Sequence, residues 1–216
     1  SSAEATYYAR VKADCGELDG QSVYTATISF VPTNIYSIVV NDGTQTNNYV
    51  PIYGSYVDEG NTASQFIVPA ESLQEIMWDS ITTLTFYASQ ATSNWGASEF
   101  EVYMTTTEDA TLSELVDWNH LTQVMVSGNL SIVDNKMVVT LSEPFQYTGD
   151  NLLIGFKQTA ASGGSSFYST SSWYGVTANG ASIGGYGTGN NMTQRNFLPK
   201  MTIAYVPGQA PACMWA

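Results

Sequence analysis

Glu99-Phe100-Glu101-Val102-Tyr103-Met104 sets Phe100, Val102 and Met104 on one side of an extended chain and Glu99, Glu101 and Tyr103 on the other. A helix would scatter the same residues around its axis, so this period of two predicts a strand with one buried face. The pattern returns near the C-terminus, where Met201, Ile203 and Tyr205 alternate with Thr202, Ala204 and Val206. Working outward from these two stretches, further strands are expected at 35–40, 64–68, 81–87, 121–126, 137–141, 152–156 and 166–169, with the closing strand covering 197–206. Turns rich in Gly, Asn, Asp and Ser separate them. The fold class is therefore all-β, an antiparallel β-sandwich or jelly roll with one or two short helical turns.

The helical turns have local causes. Pro69 suits a first helical position, Glu71 suits the positive end of the dipole, and Leu73, Ile76 and Met77 share a face. Thr111-Leu112-Ser113-Glu114 has capping-box form ahead of Leu115 and Val116, which predicts a second turn of helix.

An N-terminal β-hairpin precedes the sandwich. Tyr7, Ala9, Val11 and Ala13 alternate with Tyr8, Arg10, Lys12 and Asp14; Glu17-Leu18-Asp19-Gly20 is a turn signal; and Tyr24, Ala26, Ile28 and Phe30 form the return face. A hairpin alone is marginal in water, so this one is expected to pack on the following module, pair with another chain, or belong to a domain whose earlier strands precede it. The organisation read from the chain is a partial domain over 1–31, a complete module over 32–206, and a Pro- and Gly-bearing linker over 207–216 that begins another domain. The chain is thus expected to be an excerpt of a longer polypeptide, with adjacent domains as its first partners.

Of the 216 residues only six are Lys or Arg, and the formal net charge is −13. That balance repels phosphate backbones and anionic lipid, which argues against nucleic acid as a partner. No apolar run approaches the roughly 20 residues of a membrane-spanning helix, so direct membrane insertion is not expected.

Three blocks carry a family resemblance: Asp42-Gly43-Thr44-Gln45-Thr46-Asn47-Asn48-Tyr49-Val50-Pro51-Ile52-Tyr53-Gly54-Ser55-Tyr56, Asn151-Leu152-Leu153-Ile154-Gly155, and Thr193-Gln194-Arg195-Asn196-Phe197-Leu198-Pro199-Lys200. Together they resemble the cleaved-adhesin, jelly-roll-like module of surface and secreted multidomain proteins of Bacteroidetes-type bacteria. Tyr7-Tyr8-Ala9-Arg10-Val11-Lys12-Ala13 followed by Cys15-Gly16 resembles the last strands of a fibronectin type III-like domain. The resemblance implies an extracellular or cell-surface location, with a glycan or a host or neighbouring surface protein as partner. It also implies that Cys15 pairs upstream and Cys213 downstream of this stretch; a Cys15 to Cys213 bridge and a link between chains stay open. Asp79-Ser80-Ile81 is similar to the O-glycan acceptor pattern of exported proteins in those bacteria, against the plain reading of Ser80 as a strand-entry residue.

Chemistry-bearing groups are few. His120 is the only histidine and no Gly-x-Ser-x-Gly elbow accompanies it, so no catalytic residues are assigned and the protein is not expected to be an enzyme. Glu99 and Glu101 alternate with core residues and are expected to face solvent beside Tyr103. No cofactor is assigned; structural calcium is a candidate at Asp58, Glu59 and Asn61, with Asp42 a helper, because loop carboxylates supply hard oxygen ligands. The competing reading is an acidic turn. The glycan-binding candidates are Phe167, Tyr168, Trp173, Tyr174 and Tyr186, with Asn179, Asn190 and Asn191 at the rim, since sugars present C–H faces to flat rings and hydroxyls to amides. Trp173 and Phe167 read equally as core. The functional expectation is adhesion or glycan recognition, with a spacer or fibre-forming unit making strand-mediated contacts, or an accessory domain of a secreted hydrolase, as alternatives.

Overall fold

The computed structural model describes residues 7–12, 22–30, 34–58, 60–90, 95–161, 172–186 and 192–208. The chain divides into two units, Ser1–Ile35 and Tyr36–Ala216. In the first, β1 (Tyr7–Ala9) pairs antiparallel with β2 (Ile28–Phe30), Tyr7 opposite Phe30 and Ala9 opposite Ile28. Beyond the strands the Thr25 amide donates to the Val11 carbonyl at 2.7 Å, and the Arg10 guanidinium lies 4.2 Å from the Tyr24 ring centre. The expected pairing is present; the turn at 17–20 and Cys15 lie outside the described residues.

The second unit holds β3 (Tyr36–Val39), β4 (Gln45–Asn47), β5 (Ala63–Val68), β6 (Ser80–Gln90), β7 (Glu99–Thr107), β8 (Thr122–Gly128), β9 (Ile132–Val133) and β10 (Lys136–Gln146). These are followed by β11 (Asn151–Ala160), β12 (Ser172–Thr177), β13 (Ser182–Gly185), β14 (Thr193–Gln194), β15 (Phe197–Pro199) and β16 (Met201–Val206). Every pairing is antiparallel. Six strands form one sheet in the order β14-β13-β5-β11-β7-β8, and eight form the other, along β15-β12-β6-β10-β9 with β16 beside β6, β3 beside β16, and β4 on β12. The architecture is a β-sandwich, nearly all β, with isolated 3-10 turns at Gly54–Tyr56, Ala70–Ser72, Gln74–Ile76 and Trp118–His120 among the described residues.

Alternation explains how the sheets meet. Phe100, Val102 and Met104 point into the sandwich as the sequence predicts, and Phe66 and Phe156 from the same sheet meet Phe86 of the other, with centroids 6.0 and 5.4 Å from it in edge-to-face geometry. β5 and β11 are different. Both are buried on two faces, because a second cluster of Ile67, Leu153, Ile183, Leu112 and Leu121 covers the outer side of the six-stranded sheet.

That cover corrects one expectation. Residues 111–116 form no helix despite the capping-box pattern. Their backbone groups are taken by distant partners: the Leu112 amide donates to the Gly180 carbonyl at 2.7 Å, its carbonyl accepts from Gln194 Nε2 at 2.6 Å, and both polar groups of Val116 bond to Gln65. Long-range satisfaction leaves nothing for an i to i−4 ladder. At Pro69 the expected helix is a pair of 3-10 turns that bury Leu73 and Ile76 and leave Met77 44% exposed. The closing strand is also divided: Lys200 donates its amide to the Tyr174 carbonyl at 2.7 Å, so β15 pairs with β12 whereas β16 pairs with β6 and β3. The strand expected at 166–169 lies outside the described residues.

Candidate functional site

Register on the six-stranded sheet decides which outward side chains become neighbours. Lys157 of β11 stands opposite both Ala63 of β5 and Glu101 of β7, and one row along Gly155 stands opposite Gln65 and Tyr103. All six point away from the sandwich core. Across them runs the segment between β7 and β8.

Gln65 anchors that segment. It is fully buried, its Oε1 accepts from the Val116 amide at 2.7 Å, and its Nε2 donates to the Val116 carbonyl at 2.8 Å. One side chain thereby imitates a rung of β-ladder. One residue on from Val116, Asp117 Oδ1 accepts from the Asn119 amide at 3.0 Å and caps the 3-10 turn Trp118–His120. The turn lays Trp118 on Gly155, where a Cβ would come within 2.6 Å of an indole carbon. Only glycine permits that approach. The Tyr103 ring lies 5.1 Å from the indole at 54°, its hydroxyl donating to Glu101 Oε2 at 2.7 Å. Burial first, and the Glu101 bond and charge second, push the Tyr103 pKa up to about 12.

Beside Trp118 opens a cavity of about 240 Å³. Trp118, Leu115 and Met192 give it an apolar side, and Asn61, Thr62, Gln158 and Lys157 a polar one. Gln158 is occupied structurally: it accepts from the Thr62 amide at 3.1 Å and donates to the Val57 carbonyl at 2.6 Å. A partly exposed ring with amide, hydroxyl and ammonium groups around it can bind a small polyhydroxylated ring by stacking and hydrogen bonding.

The residues singled out from sequence fall elsewhere. Trp173 is 0% exposed, donates from Nε1 to the Ile52 carbonyl at 2.8 Å and lies 6.3 Å from Trp95, so it is a core residue with no face for a ligand. Tyr174 is half-buried on β12 opposite Thr46. Tyr186 belongs to a row of half-buried rings: it lies 5.8 Å from Tyr53, which lies 4.4 Å from Tyr49, whose face is capped by the Arg195 guanidinium at 3.4 Å. Arg195 Nε donates to the Gly184 carbonyl at 2.6 Å, and burial lowers the Arg195 pKa, opposed by the nearby Tyr49 and Tyr53. Phe167, Tyr168, Asn190 and Asn191 lie outside the described residues, and Asn179 sits in the turn after β12.

Asp58 is half-buried, with Oδ1 lacking a hydrogen-bond partner among the described residues; Glu59 lies outside the described residues; Asn61 lines the cavity; and Asp42 forms an ion pair with Lys200 instead of helping Asp58. No group of three His, Cys, Asp or Glu that could hold a metal occurs among the described residues. Ser80 opens β6, half-buried between Gln146 and Val206, and the preceding Asp79 accepts the Gly208 amide at 2.9 Å. Cys15 and Cys213 lie outside the described residues. His120 is exposed at a separate open pocket of about 530 Å³ with Asp109, Glu114 and Asp117, and among the described residues no serine hydroxyl is bonded to it.

Sequence reasoning missed Trp118, Gly155 and Lys157 as a group. The one available signal was Trp118 within Asp117-Trp118-Asn119-His120, an aromatic placed between a capping Asp and a polar pair in a connection.

No protein-family model matches the chain, and no curated protein matches it. Among solved structures, one described as the cysteine protease and lectin-like domains of Cwp84, a surface layer associated protein of Clostridium difficile, matches with a TM-score of 0.41 and 10% sequence identity. The match covers 68% of this chain and 32% of that one, so the chain spans about a third of that protein's length.

Proposed function

We propose that the sandwich is a non-catalytic recognition module of a bacterial surface protein, acting outside the cell by binding glycans in the groove at Trp118. The observation that carries this reading is the indole seated on Gly155 at the mouth of a cavity of about 240 Å³ with Asn61 and Lys157 at its rim. A ring fixed by backbone contact loses little freedom when a sugar stacks on it, which is how a shallow site gains affinity.

The test is a glycan array followed by calorimetry on the full chain and its Trp118→Ala variant. Binding by the parent and its loss in the variant, with the unfolding midpoint of the variant within a few degrees of the parent, supports the groove. Equal binding by both would remove Trp118 from the site.

A second reading, a spacer joined to neighbours by strand contacts, is favoured by β3. Among the described residues this strand pairs only with β16, and it exposes Tyr36 by 47% and Val39 by 59%. Concentration-dependent assembly of the chain without any saccharide binding would select it.

A further inference from the structure

The chain has six cations, and five have aromatic or carboxylate company. Arg10 and Lys12 lie over Tyr24, Lys136 and Lys200 over Tyr87, and Arg195 over Tyr49, while Lys200 also pairs with Asp42. Lys157 is the sixth. Among the described residues its ammonium lies over no ring and forms no ion pair, although Glu101 stands opposite on β7. Glu101 accepts the Tyr103 hydroxyl, and it does not line the cavity. Lys157 does, and among the described residues it is the only ionisable one that does.

A cavity whose one charge among the described residues is positive is conspicuous in a chain of net charge −13. Half-burying an ammonium that forms no ion pair costs free energy, and an anionic group on the ligand would recover part of it. Most of the chain's negative charge does not cancel this attraction, because at physiological salt exposed charges more than about 8 Å apart are largely screened. Glu101 is the near carboxylate, and it is turned to the Tyr103 hydroxyl. The cavity volume adds a limit. At about 240 Å³ it falls below the roughly 300–1,000 Å³ of sites for drug-sized ligands, so it has room for one ring stacked beside Trp118, with the rest of the chain in solvent.

Resting on the glycan reading above, we infer that the groove selects an acidic saccharide, a sugar ring whose carboxylate meets Lys157 while its C–H face stacks on Trp118. Asn61 then meets the ring hydroxyls. Hexuronic and sialic acids share this chemistry.

Calorimetry on the full chain separates the sources, with galacturonate trisaccharide against its methyl ester and sialyllactose against lactose. The acidic form of one pair is expected to bind at least about tenfold more tightly than its neutral partner, the value of one charge-assisted hydrogen bond. Rising salt should narrow that gap. Lys157→Gln should remove the gap, Lys157→Arg should keep it, and Trp118→Ala should abolish binding of both forms. Equal affinity for acid and ester in the parent, or a preference that survives Lys157→Gln, overturns the inference while leaving the glycan reading intact. Absence of binding to all four probes and to a neutral glycan array overturns both.

Discussion

Replacing Gln65 by Glu changes one atom and tests whether a single buried amide holds the recognition segment in place. In Gln65→Glu the bond from the Val116 amide survives, but the Val116 carbonyl, which accepts from Nε2 at 2.8 Å, would face a carboxylate oxygen. The site is fully buried, so desolvation and this repulsion both disfavour the charged form. Taking a rise of about 2 units above the ordinary Glu value of roughly 4.3, at 1.36 kcal/mol per unit, the variant loses about 3 kcal/mol at neutral pH. With the carboxyl protonated, its O–H donates to the Val116 carbonyl and the loss shrinks to about 0.5–1 kcal/mol.

The direction with pH follows from proton binding. The folded variant holds the proton more tightly than the unfolded chain, so its stability is complete below the unfolded pKa, is lost as pH rises to the folded pKa, and is level above that. Urea unfolding of parent and variant at about pH 4 and about pH 7.5 measures the difference, and all native carboxylates cancel in the comparison. A gap between parent and variant that is the same at both pH values would refute the reasoning, because it would mean that the introduced carboxyl reaches water and that Gln65 anchors nothing. Saccharide affinity should fall with stability at neutral pH and recover in acid, since Val116 lies two residues from Trp118.

Trp173→Ala should cost about 3–5 kcal/mol through the cavity it leaves and the Ile52 carbonyl it orphans, a large part of the roughly 5–15 kcal/mol that holds a domain together. A thermal midpoint equal to the parent's would contradict its core role. Glu101→Gln removes the charge and the carboxylate acceptor at Tyr103, so ultraviolet titration of tyrosinate should show this phenol moving down from about 12 but staying above the ordinary value, because burial remains. The raised pKa favours the protonated phenol in the fold, a contribution present below about pH 10 and lost as pH rises toward 12 in the parent. An unmoved titration would show that the hydrogen bond does not tune this ring.

The sandwich was legible where one face is dry. β7 alternates because Glu99, Glu101 and Tyr103 face outward while their neighbours pack between sheets, and β16 begins the same way. β4, β12, β13 and β14 escaped notice because they are short or are built from Gly, Ser, Thr and Gln, whose fit comes from contact and not hydrophobicity. Gly175 shows this: a Cβ there would come within 2.2 Å of the Leu198 carbonyl oxygen. The aromatic-rich stretch around Trp173 misled for the converse reason, since a large indole with one N–H satisfies itself in a core as readily as at a surface. The groove was illegible because its parts are 96 residues apart, from Asn61 to Lys157, and only the pairing of β5 with β11 makes them neighbours.

The connection between β7 and β8 is fastened by amide side chains of β5 and β14 and by the Gly180 carbonyl, not by strand pairing. Its sequence from Glu114 to Asn119 can therefore be rewritten without shifting a strand, provided Leu112 and Leu121 still cover the sheet. Such a segment separates inheritance of the scaffold from inheritance of the ligand. Libraries confined to it should yield folded sandwiches of altered binding preference more often than libraries of equal size placed on the strands.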